Sequence, residues 1–540
     1  MLALALVLLL TACGGGGTGG TGGGGTEAEK VLYTNNVNEP GSLDPVYTQG
    51  SNEFWILSHA FWPLMIYDEN SEVVPAAAEN MEVSEDGLVY TFTLRDDMKW
   101  SNGDPVVAGD FEYAWKRHLD PEVASDYSFI ITDYVLGAEE ALAGTGAMED
   151  VGIKALDDKT LEVTLKAPAA FFPGIVTSFA YYPVNEKIVS ENPNWADDPN
   201  NTELVSNGPY KITSWAHNDE IIIEKNPEFY DADLVKIDKI YWDILEDGNT
   251  AYQKYENGEY DFLNSVPGPI LAELNTKGDE DLKDGIDLGT YNYVLNHGRK
   301  PLNNVKVRKA LALAIDRDTL MNSVVNTGEA VATGMVGPGF MEPNGKDFSE
   351  NRENFVHYDP EEAKRLFEEG LAEEGMAPED MNGMVISFNT SDNHRKIAQF
   401  VQEQWRQHLG IEVGMENMEF RVLLDKRANK DYDILYMGWL ADYADPVSML
   451  DIYMTGSGQN VFNYSNPEFD ALVADAKTST DLEGRMESLH KAEAILMEDQ
   501  VTIPFYFFQA DYLQKPYLTG VFKNSINYPA FYYADIEREQ

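Results

Sequence analysis

A single cysteine, Cys13, serves a chain of 540 residues, so no disulfide within the chain can staple it and stability has to come from packed cores. With 43% of residues hydrophobic and 11% aromatic, material for cores is ample. One core stops growing near about 250–300 residues, which predicts two or three lobes. Strand-like alternation over 88–94 and 160–165, and more buried runs at 221–223 and 501–506, are interleaved with punctuated helices. Asp359-Pro360-Glu361-Glu362 supplies an N-cap, a proline at the first helical position and acids at the positive end of the dipole. Gly370 is placed to end that helix. Ile397, Phe400, Val401, Trp405 and Leu409 recur at helical steps before Gly410. Asn466-Pro467-Glu468 opens a further helix, and 482–497 reads as a longer one running into the strand at Val501. The fold class is mixed α/β.

Cys13 closes Leu10-Thr11-Ala12-Cys13, directly after an apolar run from Leu2 to Leu10. That tetrapeptide resembles a bacterial lipobox, in which the cysteine becomes the lipidated first residue of the mature protein. An apolar core followed by small residues is the pattern of a secretory signal, and this run is far shorter than the roughly 20 residues a membrane span needs. No Lys or Arg precedes Lys30, where a basic flank would lie. Residues 14–26 are almost all Gly and Thr, a flexible leash. The expectation is a signal peptide at 1–12, a lipidated tether at 13–29, and a body held at the outer face of the cell membrane by lipid.

Lys and Arg number 39 against 92 Asp and Glu, a formal charge of −53. Such acidity excludes nucleic acid as a partner, because phosphate binding needs dense positive charge. It reads as a solvated surface suited to salty surroundings, screened over a Debye length of about 8 Å. None of the eight histidines is followed by Glu, so there is no His-Glu-x-x-His zinc helix, and the Gly-x-Ser-x-Gly elbow is absent. Residues 339–346 imitate a phosphate loop, but the spacing is too long and Asp347 stands where Ser or Thr is required. Carboxylate pairs carry no weight in so acidic a chain. No catalysis, metal or cofactor is expected.

Three segments stand out instead: Asp97 to Arg117, built on Lys99-Trp100-Ser101-Asn102-Gly103-Asp104-Pro105; Ser206-Asn207-Gly208-Pro209-Tyr210; and Gly438-Trp439-Leu440-Ala441-Asp442-Tyr443-Ala444-Asp445-Pro446, preceded by Lys426-Arg427. With Leu43-Asp44-Pro45 and the run Val305 to Arg317, they resemble, in order along the chain, the oligopeptide and dipeptide receptors of ABC importers, lipoproteins among the family 5 extracellular solute-binding proteins. The similarity runs from Leu43 to the C-terminus. It implies a hinged, two-lobed fold of the periplasmic-binding-protein (Venus flytrap) type with an extra inserted domain. Lobe I would comprise 30–62, 190–292 and 509–540, the inserted domain II 63–189, and lobe III 293–508. The resemblance further implies a monomer that captures a short peptide and delivers it to an ABC permease and its ATPase subunits.

A peptide's main chain is common to every sequence, so a general receptor binds it by strand addition and grips its charged ends. By resemblance, Asp442 holds the peptide α-ammonium; capping the turn before Tyr443 is the alternative. Arg427 aligns with a position that meets the carboxylate of a very short peptide, and its fork suits that group; a surface charge is the alternative. Oligopeptide receptors carry a second arginine where this chain has Tyr436, which shifts the expectation toward short peptides. Gly438 lets the ligand backbone approach, and the main chain at Trp439 and Leu440 is the expected edge. Trp439 and Phe420 wall side-chain pockets or pack as ordinary core. Gln49-Gly50-Ser51 matches a loop that meets the peptide from the other lobe, and Tyr127 is a lining residue from the inserted domain. A receptor of this fold for a nickel complex, haem, a sugar or an opine is the second reading, and a secreted hydrolase the third.

Overall fold

The computed structural model describes residues 29–48, 50–197, 204–523 and 528–538; the expected signal peptide at 1–12, Cys13 and Gln49 lie outside them. No helix among the described residues is long and apolar enough to cross a membrane. Three sheets of four or five strands organise the chain. The first places Val31–Asn35, Lys239–Asp243, Glu220–Lys225 and Tyr210–Ala216 side by side, with only the first pair parallel. The second, antiparallel, runs Ala78–Val83, Val89–Leu94, Thr160–Thr164, Ile153–Ala155. The third, mixed, runs Gly414–Met418, Val385–Asn389, Ile434–Leu440, Ile286–Leu295, Thr502–Gln509. Alternation in the sequence becomes alternation of burial: within Val89–Leu94, Tyr90, Phe92 and Leu94 face the core.

Helix Pro360–Glu374 starts where its cap predicts, Glu362 N donating to Asp359 Oδ1 at 3.0 Å. It does not stop at Gly370 but at Gly375, which takes the left-handed conformation with φ 68°. Gly370 is a packing residue. A Cβ there would lie 2.8 Å from Val307 Cγ2 and 3.0 Å from Val307 N, so its bare Cα lets this helix close on Val305–Leu313.

The chain crosses to the third sheet and back at two adjacent points. Lys283 pairs with Tyr512 in a small sheet on the lobe I side, and Ile286 pairs with Gln509 in the third sheet. Between them Ala510 N donates to Gly285 O at 3.0 Å and Gly285 N to Asp511 Oδ1 at 3.2 Å. A Cβ on Gly285 would sit 2.1 Å from Ala510 O, so only glycine permits the two crossings to lie so close. Paired single-strand crossings are a hinge geometry. The expected boundary at 292/293 falls inside Ile286–Leu295, whose residues 289–295 pair with Ile434–Leu440; the change of sheet comes at 284–285.

Several of the prominent motifs are structural knots. The Asp44 carboxylate accepts from Arg117 Nη1 and Nη2 at 3.0 and 2.8 Å and from Trp195 Nε1 at 2.9 Å, tying three distant segments. Asp110 accepts from Trp100 Nε1 and Val107 N, both at 3.0 Å. Asn207 exchanges two hydrogen bonds with the backbone of Trp62 at 2.9 and 3.0 Å. The buried Arg308 and Arg317 donate to main-chain carbonyls, including Leu302 O and Pro504 O. The Asp44 side chain is only 4% exposed. Asp44→Ala would leave the Arg117 cation buried without its partner, a loss of about 3–5 kcal/mol in urea unfolding; a loss under about 1 kcal/mol would show that the knot is not structural.

Candidate ligand-binding site

Strand Ile434–Leu440 has one complete partner and one incomplete one. Ile286–Leu295 pairs along its whole length, Gly289 opposite Leu440 through Leu295 opposite Ile434. On its other side Val385–Asn389 reaches only Ile434 and Leu435 and then continues with Gly414–Met418 alone. Among the described residues no strand pairs with 436–440 on that side. The result is an open β edge facing a cleft, where an extended ligand can complete the ladder.

A cavity of about 220 Å³ lies along this edge, lined by Phe420, Leu423, Leu424, Arg427, Tyr436, Gly438, Leu440 and Phe508, among others. Helix Phe420–Ala428 supplies four of these at positions i, i+3, i+4 and i+7, one face of a helix. The half-buried Arg427 sits among apolar side chains, its guanidinium makes no ion pair or hydrogen bond to the described residues, and burial draws its pKa below the usual value. A side chain at Gly438 would lie 2.8 Å from Tyr436 Oη and 3.0 Å from Phe508 Cζ, so glycine leaves room for those two rings. The Tyr436 ring packs 3.9 Å from His394, which meets Tyr291 Oη through Nδ1 at 3.0 Å. Burial lowers the His394 pKa to about 4, so this imidazole is neutral at pH 7. His394 and Phe508 were not legible locally: one opens a helix, the other ends a strand, and only the tertiary fold brings them here.

Beyond Leu440 a second cavity of about 440 Å³ is lined by Trp439, Asp442, Tyr443, Ser448, Asp451 and Lys477, and from the segment 63–189 by Phe129, Ile130, Asp133, Tyr134 and Lys166. Trp439 Nε1 donates to Ser448 O at 2.7 Å, and Asp442 N to Ser448 Oγ at 2.9 Å. The Asp442 carboxylate itself has no hydrogen-bonding partner among the described residues. Burial, and then nearby Asp451, raises its pKa to about 7. Asp451 is already neutralised by Lys477 at 3.0 Å. Tyr127 stands within electrostatic reach of both Asp442 and Glu53, and burial pushes its phenol well up. Gly50 and Ser51 open helix Ser51–Ala60, on which Glu53 lies, and line neither cavity.

Residues 72–461 match the bacterial extracellular solute-binding proteins, family 5 Middle. The chain is 38% identical over 528 residues to the oligopeptide-binding protein OppA of Bacillus subtilis (strain 168), covering 96% of this chain and 95% of that one. It is 37% identical over 510 residues to the dipeptide-binding protein DppE of the same organism, covering 94% and 92%. The Escherichia coli murein tripeptide binding protein MppA, at 28% identity, superposes with a TM-score of 0.81 over 95% of this chain and 99% of that chain. Its unliganded open form, at 27% identity, gives 0.75 over 94% and 97%. The fold is that of a two-lobed, hinged substrate-binding protein of the periplasmic type. Within that class, the chain belongs to the bacterial extracellular solute-binding proteins, family 5.

The raised carboxyl of Asp442 has a consequence for stability. Its folded value of about 7 lies above the ordinary 3.8, so its protonated form favours the folded state. That contribution is complete below the ordinary value and is lost as pH rises through about 7. Asp442→Asn stays neutral at every pH, and the unfolding free energy of the ligand-free variant should fall less than wild type between about pH 4 and pH 7. Equal pH slopes for the two proteins would contradict the assignment.

Proposed function

We propose that this chain is an extracytoplasmic receptor that captures short peptides between its lobes and hands them to an ABC permease driven by separate ATPase subunits. One observation carries the reading: two unpaired charges of opposite sign, the Asp442 carboxylate and the Arg427 guanidinium, bracket the open edge of 436–440. A zwitterionic, extended ligand complements all three features. Its main chain completes the ladder at Gly438, Trp439 and Leu440. Its ammonium neutralises Asp442 and its carboxylate takes the Arg427 fork, each charge-assisted bond contributing about 1.5–3 kcal/mol. With Tyr436 in place of a second cation, the carboxylate grip lies at Arg427, which favours very short peptides. Phe420, Trp439 and Leu440 wall the side-chain pockets, while Tyr127, within electrostatic reach of Asp442, meets the ligand from the inserted segment. The relatives named as dipeptide- and oligopeptide-binding proteins support this cargo over a nickel complex, haem, a sugar or an opine.

Ligand shifts the open–closed balance only by its differential affinity for the two states, so contacts from both sides of the cleft drive closure about the crossings at 285 and 510. The receptor acts as a monomer without catalysis of its own. Its parts are a lobe I of 30–62, 190–285 and 510–540, an inserted domain of 63–189, and a lobe III between the crossings. Cys13, lipidated after removal of 1–12, holds it to the outer face of the membrane through the Gly-rich leash. Two acyl chains suffice for stable anchoring.

Calorimetry with free dipeptides and tripeptides tests the reading. Asp442→Ala should weaken binding by at least about tenfold, and Arg427→Ala should do the same for free but not for C-amidated dipeptides. Because the ammonium needs an ionised partner, and Asp442 in the free protein titrates at about 7, wild-type affinity should fall as pH drops through that value, by up to about tenfold per unit. Unchanged affinity in Asp442→Ala would reject the assignment.

A further inference from the structure

The loop that presents Asp442 is held from two directions. From its own lobe, Ser448 accepts from Asp442 N at 2.9 Å, and Arg485 grips Asp445 with two bonds of 2.7 and 2.9 Å. The other hold comes from the segment that carries the sheet 78–164. The Tyr443 ring lies 5.3 Å from Phe171 with only 3° between the planes, its hydroxyl meets Tyr134 Oη at 2.9 Å, and Ala444 N donates to Tyr67 Oη at 3.0 Å. Arg485 in turn lies 5.1 Å from the Phe171 ring centre, so two groups of the loop's own lobe meet this one ring. Tyr443 and Tyr134 are buried phenols, 4% and 8% exposed. An aromatic stack and a buried hydroxyl pair of this kind fix the geometry of a short loop.

We propose that Tyr443 is a positioning residue through which the inserted segment controls the amine site: seating its ring on Phe171 and its hydroxyl on Tyr134 sets the Asp442 carboxylate where it meets a ligand's ammonium. The inserted domain is thereby part of the binding machinery for every cargo, whatever its side chains, and the amine site is incomplete while that domain stands away. This rests on the reading of Asp442 given above.

The test compares a free-amine dipeptide with its N-acetylated form by calorimetry on the full chain. Wild type should prefer the free amine. In Tyr443→Ala the free-amine affinity should fall about tenfold while the acetylated peptide changes by less than about twofold, so the preference collapses. Tyr443→Phe, which keeps the stack, should restore most of the preference. Phe171→Ala should reproduce the loss, and the double variant should add little to either single one. Tyr134→Phe, which opens no cavity, should show a milder loss of about threefold in the same preference and keeps the test alive if the alanine variants unfold. Equal losses for both peptides, or an undiminished preference in Tyr443→Ala and Tyr134→Phe, would overturn the positioning role. A wild type that binds both peptides equally would sink the Asp442 assignment and this proposal with it.

Discussion

A charge buried without a counter-charge costs several kcal/mol, so folded proteins pair their buried ions or neutralise them. This chain pairs Asp44 with Arg117, Asp445 with Arg485 and Glu493 with Arg352. Arg308 and Arg317 are met instead by main-chain carbonyls and Asp110 by neutral donors, whereas the half-buried Asp442 carboxylate and Arg427 guanidinium have neither kind of partner among the described residues. Each faces a cavity, and each has its pKa drawn toward neutrality by burial, Asp442 upward and Arg427 downward. The protein holds both in a state that a ligand of complementary ends relieves. An open β edge between them completes the demand, since its main-chain groups are satisfied by any extended backbone.

The scaffold around the cleft explains how such a site stays ordered yet opens. The Asp44 knot ties 30–62 to the segment 63–189 through Arg117, and Ser101 N donates to Ser206 O at 2.7 Å across to 190–285, whereas Asp110 braces 100–110 internally and Asn207 joins back to Trp62. The strands 286–295 and 502–509 enter and leave the third sheet at two crossings that touch at Gly285 and Ala510. Away from those crossings, the contact of Tyr443 with Phe171 joins the loop after Ile434–Leu440 to the segment 63–189. Asp442 is one residue from that contact, so the grip on a ligand and the meeting of the lobes share one short loop.

Much of the fold was legible in local pattern. The alternation at 89–94, the cap at Asp359 and the steps from Ile397 to Leu409 each dictate their element through side-chain periodicity or orphan backbone groups, and the elements form where those signals stand. Gly370 misled because a glycine inside a helix looks the same in sequence whether it ends the helix or admits a neighbouring one. The boundary near 292 misled for a related reason: Ile286–Leu295 is one uninterrupted strand, and only its pairing reveals which lobe owns it. At the site, the residues clustered in sequence around 436–442 were accessible to motif reading. His394, Phe508, Tyr134 and Phe171 reach the cleft from remote positions through tertiary packing and carry no local signal. Asp44 stood out as part of a motif, but its knot with Arg117 and Trp195 spans three segments that no spacing rule connects.

A crystal structure of the protein grown with a free-ended dipeptide tests the central claim most directly. The account predicts the ligand backbone paired to the edge at 438–440, its ammonium within hydrogen-bonding distance of Asp442 and its carboxylate on Arg427. A peptide lodged elsewhere, or bound in the cleft with both of those charges still unpartnered, would contradict it.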